Sequence, residues 1–304
     1  MRICSLLPSA TEIAFALGLG DSVVAVTHEC DYPPEARNKP IVVKSVIDHQ
    51  RSSSAEIDKT IGERLRGKKG IYTIDPPRFR EANPDLILTQ ELCDVCAVDY
   101  DEVVAATRSL ARKPKIISLA PTLLSDVLRD IELVGKMTGK KREAKIFVDR
   151  LQERIDRVQE QTSRSEYRPR VACLEWLEPI YNAGHWVPEM VELAGGMDGL
   201  SKKGKPSEKV AWDQVVQFAP EVIVLMPCGF DIERAMKEVH LLYNLPVWSD
   251  LPAVKRGNVF ATNGSAYFNR SGPRLVDGLE ILAQIIHPEI FPWEAPPEAA
   301  QRLA

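Results

Sequence analysis

No stretch of the 304-residue chain approaches the roughly 20 consecutive apolar residues of a membrane-spanning helix, so a helical membrane span is excluded. A basic surplus is also missing. The formal net charge is −4, and cations cluster only briefly, as at Lys202-Lys203-Gly204-Lys205, which is expected to be a solvated loop. Nucleic acid is therefore not an expected partner. The chain has no P-loop, no dinucleotide fingerprint and no G-x-S-x-G elbow, which removes the commonest phosphate-cradling and acyl-transfer sites. Nor does it open on an extended apolar segment with a small-residue cleavage site: Met1-Arg2 runs straight into the strand-like Ile3-Cys4-Ser5-Leu6-Leu7-Pro8. The expected location is the cytoplasm, or the periplasm or extracellular space if a signal precedes this start. Six cysteines, at 4, 30, 93, 96, 173 and 228, agree with a reducing compartment that keeps thiols available for metal or redox work.

What is present is an ordinary globular composition, 44% hydrophobic and 27% charged, in a length suited to two domains. Two patterns repeat in the same order. Arg2-Ile3-Cys4-Ser5-Leu6 starts a strand that leads to a helix over 11–19 ending at Gly18-Leu19-Gly20. Arg170-Val171-Ala172-Cys173-Leu174 starts a strand that leads to a helix over 187–194 ending at Gly195-Gly196. Further on, Ala82-Asn83-Pro84-Asp85-Leu86-Ile87-Leu88-Thr89 is a helix stop followed by a buried strand. Phe218-Ala219-Pro220-Glu221-Val222-Ile223-Val224-Leu225 repeats it. Between the halves, apolar residues recur at helical spacing from Leu123 to Val158, interrupted at Gly139.

The expected fold is α/β: two Rossmann-like lobes bridged by a long helix, with a ligand cleft between the lobes. The boundaries are a lobe over 1–121, a bridging helix over 122–165, a lobe over 166–290 and a tail over 291–304.

In open α/β sheets, ligands bind beyond the carboxyl ends of the strands. Three loops there hold reactive side chains. One contains His28, Glu29 and Cys30. A second runs from Gln90 through Glu91 to Cys93 and Cys96, a C-x-x-C turn whose sulfurs can share a metal or form a disulfide. The third contains Gly184, His185 and Trp186. His28, Cys30, Cys93, Cys96 and His185 are candidate ligands for zinc, iron or copper, although a lone histidine is more often structural and a single C-x-x-C more often incidental or redox. Cys4 and Cys173 lie within strands and are expected to be buried, Cys228 is a weaker candidate, and His49, His240 and His287 read as structural or surface residues. The length does not suit a small C-x-x-C redox domain. A zinc deaminase is disfavoured because Glu29 adjoins His28 and no proline precedes Cys93.

Ser5-Leu6-Leu7-Pro8-Ser9-Ala10-Thr11-Glu12-Ile13, Leu17-Gly18-Leu19-Gly20, Asp31-Tyr32-Pro33-Pro34, Ala194-Gly195-Gly196, Lys209-Val210-Ala211-Trp212-Asp213 and Tyr267-Phe268-Asn269-Arg270-Ser271-Gly272-Pro273-Arg274 together resemble the helical-backbone (class III) substrate-binding proteins of ABC importers, cobalamin-binding branch. That resemblance implies a non-enzymatic binding protein and a ligand lined by Glu29, Glu91, Trp186, Tyr267 and Phe268. The ligand would be cobalamin or another corrinoid, chelated iron, or a transition metal such as zinc or iron. It also implies an ABC permease as a partner. The alternatives are an exported cobalamin-uptake component and a cysteine-dependent redox or metal enzyme.

Overall fold

The computed structural model describes residues 1–48, 51–67, 70–91, 98–110 and 112–303. The chain forms two compact α/β units, Met1–Pro121 with Ser125–Asp149, and Thr122–Leu124 with Arg150–Ala304.

In the first unit the strands are β1 (Ile3–Ser5), β2 (Val23–Thr27), β3 (Ile41–Ser45), β4 (Tyr72–Ile74), β5 (Leu86–Thr89) and β6 (Lys115–Ser118), in the sheet order β4-β3-β2-β1-β5-β6. All pairs are parallel except β3 with β4. The helices are α1 (Pro8–Ala16), α2 (Ser54–Arg66), α3 (Pro76–Ala82) and α4 (Tyr100–Thr107). Local chemistry sets their starts. Proline occupies the first turn of α1 and of α3, where a missing N–H costs nothing. Ser53 and Glu56 close a reciprocal capping box on α2.

The helical stretch after residue 122 resolves into α5 (Leu124–Thr138) and α6 (Lys141–Thr162), separated at Gly139, whose φ is +76°. A Cβ on Gly135 would lie 2.3 Å from the Ala144 Cβ, so the two helices meet there without room for a side chain. The 22 residues of α6 divide between the units at Asp149 and Arg150. On α5, burial and the neighbouring Asp126 raise the Asp130 carboxyl to about 7, against a lowering by Arg129; its Oδ2 is buried with no hydrogen-bond partner among the described residues. Between the ordinary aspartate pKa and about 7, the unfolded chain is ionised while the folded chain keeps its proton, so this group's contribution to stability falls as pH rises through that window. Asp130→Asn should abolish the fall, adding on the order of 1 kcal/mol at pH 7.5 after discounting for partial exposure. Urea midpoints at pH 5 and pH 7.5 check it. An unchanged difference between the two midpoints in the variant refutes it.

The second unit carries β7 (Val171–Leu177), β8 (Ile180–Asn182), β9 (Val222–Leu225), β10 (Val259–Thr262) and β11 (Ala300–Leu303), in the order β11-β10-β9-β7-β8. Its core strands β7, β9 and β10 are parallel, and β8 and β11 are antiparallel edges. The helices are α7 (Val187–Leu193), α8 (Trp212–Phe218), α9 (Ile232–Glu238), α10 (His240–Tyr243), α11 (Pro252–Lys255), α12 (Gly264–Tyr267) and α13 (Leu275–Ile286). The segment 291–304, expected as a tail, instead supplies β11, and Trp293 stacks on Phe260 of β10 at 5.7 Å.

The repeated motifs fold alike. Asn83 and Ala219 each end a helix in the left-handed region, at φ 38° and 49°, before a proline. The acid that follows anchors the first strand of its own unit. Asp85 Oδ2 accepts from Arg2 N (2.9 Å), and Glu221 Oε2 accepts from Arg170 N (3.2 Å). Asp85 N and Glu221 N donate to the Arg2 and Arg170 carbonyls, each at 2.8 Å. The guanidinium groups of Arg2 and Arg170 turn back onto the preceding helix end, at Ala82 O and Phe218 O. Central strands of both units are thereby fixed by the same device.

Candidate functional site

In the first unit, the loop after β2 places His28 and Glu29 side by side, Nε2 to Oε1 at 3.9 Å. Tyr72 of β4 completes the group: its hydroxyl donates to Glu29 Oε1 (3.2 Å), and its ring lies 6.1 Å from the imidazole. Tyr72 was not legible as a site residue, because β4 is only three residues long. Cys30 belongs elsewhere. Its sulfur is buried, 3.0 Å from Thr11 Oγ1 of α1 and 3.4 Å from Thr27 Oγ1, and Thr11 Oγ1 also lies 2.8 Å from Ser5 Oγ. The expected open ligand is a thiol packed among interior hydroxyls. Burial pushes the neighbouring Cys4 thiol well up, as it does Cys173 in β7. Glu91 is exposed, and Cys93 and Cys96 lie outside the described residues, as does His49.

In the second unit, the loop holding Gly184, His185 and Trp186 follows β8, not β7, because a hairpin intervenes. It nevertheless sits at the carboxyl end of the parallel strands. Ala183 N donates to Cys173 O, while Leu225, the last residue of β9, pairs with Leu174, and β10 ends one residue beyond its own pairing with Leu225. Segment 205–207 clamps this loop. His185 N donates to Lys205 O (2.5 Å), Gly204 N donates to His185 O (2.9 Å), and Gly184 N donates to Ser207 Oγ (3.1 Å). The Ser207 hydroxyl in turn donates to Glu175 Oε2 (2.7 Å). Burial raises the Glu175 carboxyl above the ordinary range, against opposing hydrogen bonds from Ser207 and Gly184. An acid inside the apolar run Val171–Leu177 was the signal available for it.

The Trp186 indole Nε1 donates to Phe268 O (2.7 Å), tying the loop to the chain after α12, and the His185 ring packs 5.5 Å from the indole. Burial lowers the His185 pKa. Phe268 differs from the expected lining role: its ring is 1% exposed and faces Gly278 of α13, where a Cβ would meet Phe268 Cε1 at 3.2 Å. Tyr267 is half-buried, with the Arg274 guanidinium 5.9 Å from its ring centre. Lys203, expected in a solvated loop, pairs with Glu189 and Glu192 at 3.4 Å. Trp176, Trp248 and His287 are buried, and His287 binds Glu289 and Gly195 O.

Of the candidate metal ligands, His28 stands beside Glu29 in the first unit and His185 beside Trp186 in the second. Among the described residues, no group of three or more His, Cys, Asp or Glu is placed to hold a metal ion. No helix among them is long and apolar enough to cross a membrane.

Residues 3–266 match the family described as "Periplasmic binding protein". A vitamin B12-binding protein of Vibrio cholerae is 28% identical over 285 residues, covering 92% of this chain and 86% of the relative. The uncharacterized ABC transporter substrate-binding lipoprotein YvrC of Bacillus subtilis is 25% identical over 295 residues, covering 95% and 81%. The crystal structure of the periplasmic vitamin B12 binding protein BtuF of Vibrio cholerae superimposes with a TM-score of 0.68 at 26% identity, covering 94% of this chain and 96% of that one. Relatives named as periplasmic or as lipoproteins do not support the cytoplasmic location expected above. The chain belongs to the periplasmic binding protein family, as a non-enzymatic substrate-binding protein of the ABC-transporter kind.

Proposed function

We propose that this chain binds a corrinoid outside the cytoplasm and hands it to an ABC permease. One observation carries the reading: the similarity to a vitamin B12-binding protein runs through 92% of the chain, not through one motif. Side chains at the strand ends of the first unit suit such a ligand. Glu29 with Tyr72 and His28 offers polar groups to the amide-rich rim of a corrin. Glu91, exposed beyond β5, adds a carboxylate. A bare transition metal, zinc included, is not part of this reading, which rests on relatives named for vitamin B12.

Titrating the purified protein with cobalamin, cobinamide, haemin and a ferric siderophore tests it. Corrinoid should co-elute with the protein in stoichiometric amount and resist dilution. Retention of haemin or the ferric chelate with no retention of either corrinoid would replace the ligand class. Fractionation of cells should place the mature protein outside the cytoplasm; recovery in the cytosol alone removes the permease from the proposal.

A further inference from the structure

We infer that His185 supplies an axial nitrogen to the cobalt of the bound corrinoid; this rests on the ligand class proposed above. The first observation is conformational. His185 has φ +52°, a left-handed backbone that is strained for a residue with a Cβ. The surrounding chain enforces it from both sides, through His185 N to Lys205 O and Gly204 N to His185 O. Such strain persists where the fold over-determines a position, and here it aims one ring from the end of β8.

The second observation concerns the ring itself. The other described histidines all have polar partners: His28 adjoins Glu29, His240 Nδ1 meets Lys237 O, and His287 is held by Glu289 and Gly195 O. The His185 imidazole makes no side-chain hydrogen bond among the described residues; its ring packs on that of Trp186. That contact fixes its tilt, because the indole is itself pinned by the bond from Nε1 to Phe268 O. A half-buried imidazole with neither nitrogen committed, held by packing at the carboxyl end of a parallel sheet, is what an axial donor to a transition metal requires. Behind it, Glu175 and Ser207 hold Gly184 and act as positioning residues.

Cobinamide is the suitable probe, because it lacks the nucleotide base that would otherwise offer its own nitrogen. Cobalt(II) cobinamide bound to the wild-type protein should show, by electron paramagnetic resonance, a triplet splitting from one axial nitrogen. Protein labelled with nitrogen-15 histidine should turn that triplet into a doublet. His185→Gly, which relieves the backbone rather than straining it, should bind cobinamide more weakly and show no splitting at saturating cobinamide, and added imidazole should restore the splitting. Bound cobinamide without nitrogen splitting in the wild type, or splitting that survives in His185→Gly without imidazole, overturns the inference and leaves the proposed ligand standing. Wild-type protein that retains neither cobinamide nor cobalamin overturns both.

Discussion

Gly184→Ala is expected to destabilise the second unit and to weaken ligand binding together, although alanine is the smallest change available there. A Cβ at this position would lie 2.4 Å from Ser207 N, 2.5 Å from Lys205 O and 2.5 Å from Pro206 C. All three are backbone atoms, so no rotamer change makes room. The loop and segment 205–207 would have to separate, which breaks the contacts from Gly184 N to Ser207 Oγ and from His185 N to Lys205 O. Overpacking of this kind costs about 1–3 kcal/mol, and each lost hydrogen bond adds roughly 1 kcal/mol. The same separation releases His185 and Trp186 from their positions, so corrinoid affinity should drop with stability. Gly62→Ala is the matched control. Its Cβ would meet only the flexible Arg66 guanidinium at 3.5 Å, within α2, and helix propensity predicts a gain of about 0.5–1 kcal/mol. Urea denaturation and corrinoid titration of both variants check the pair. Equal midpoints for Gly184→Ala and the wild type would show that the clamp gives way at no cost.

The parts of this fold legible in the sequence are those set by local chemistry. Asn83-Pro84-Asp85 and Ala219-Pro220-Glu221 announce a helix stop and a strand, and both appear in the structure. The strands after them are continuous apolar runs because the parallel sheets bury them. Other features depend on tertiary direction, which spacing does not encode. Cys30 follows His28 and Glu29 in one loop, yet its sulfur turns inward to Thr11 and Thr27 while His28 and Glu29 stay about a third exposed. The turn at Glu178-Pro179 that separates β7 from β8 lies in a run too short to read as two strands. Tyr72 reaches Glu29 across a gap of 43 residues, through an antiparallel edge strand with no pattern of its own. The burial of Phe268 and Trp186, 1% and 7% exposed, depends on tertiary contacts that spacing does not carry: Gly278 of α13 leaves room for the Phe268 ring, and the Trp186 indole reaches Phe268 O from 82 residues away.

Glu238→Ala should destabilise the second unit by about 3–5 kcal/mol, although Glu238 is remote in sequence from every residue proposed to touch ligand. Arg234 and Glu238 pair one turn apart on α9, Nη2 to Oε1 at 2.6 Å, with side chains only 8% and 7% exposed. The guanidinium also lies 4.3 Å from the centre of the Phe230 ring, which packs 5.1 Å from Trp176 of β7. Removing the carboxylate takes a compensating charge from a buried cation, which is the costly way to break such a pair. Replacing both partners by apolar residues of similar volume, Arg234→Met with Glu238→Leu, should cost far less, because desolvation of the two charges is then no longer incurred. The contrast separates charge from packing: a double variant as unstable as the single one would mean that the pair matters for its shape alone. The consequence for binding follows from Phe230, which Arg234 covers and which closes the turn after β9. Phe230 N donates to Pro227 O, and Phe230 O accepts from Ser265 N at the start of the segment leading to Tyr267 and Phe268. Loosening α9 should therefore propagate to the anchor of the Trp186 indole, and Glu238→Ala should lose corrinoid affinity, whereas the double variant should keep it.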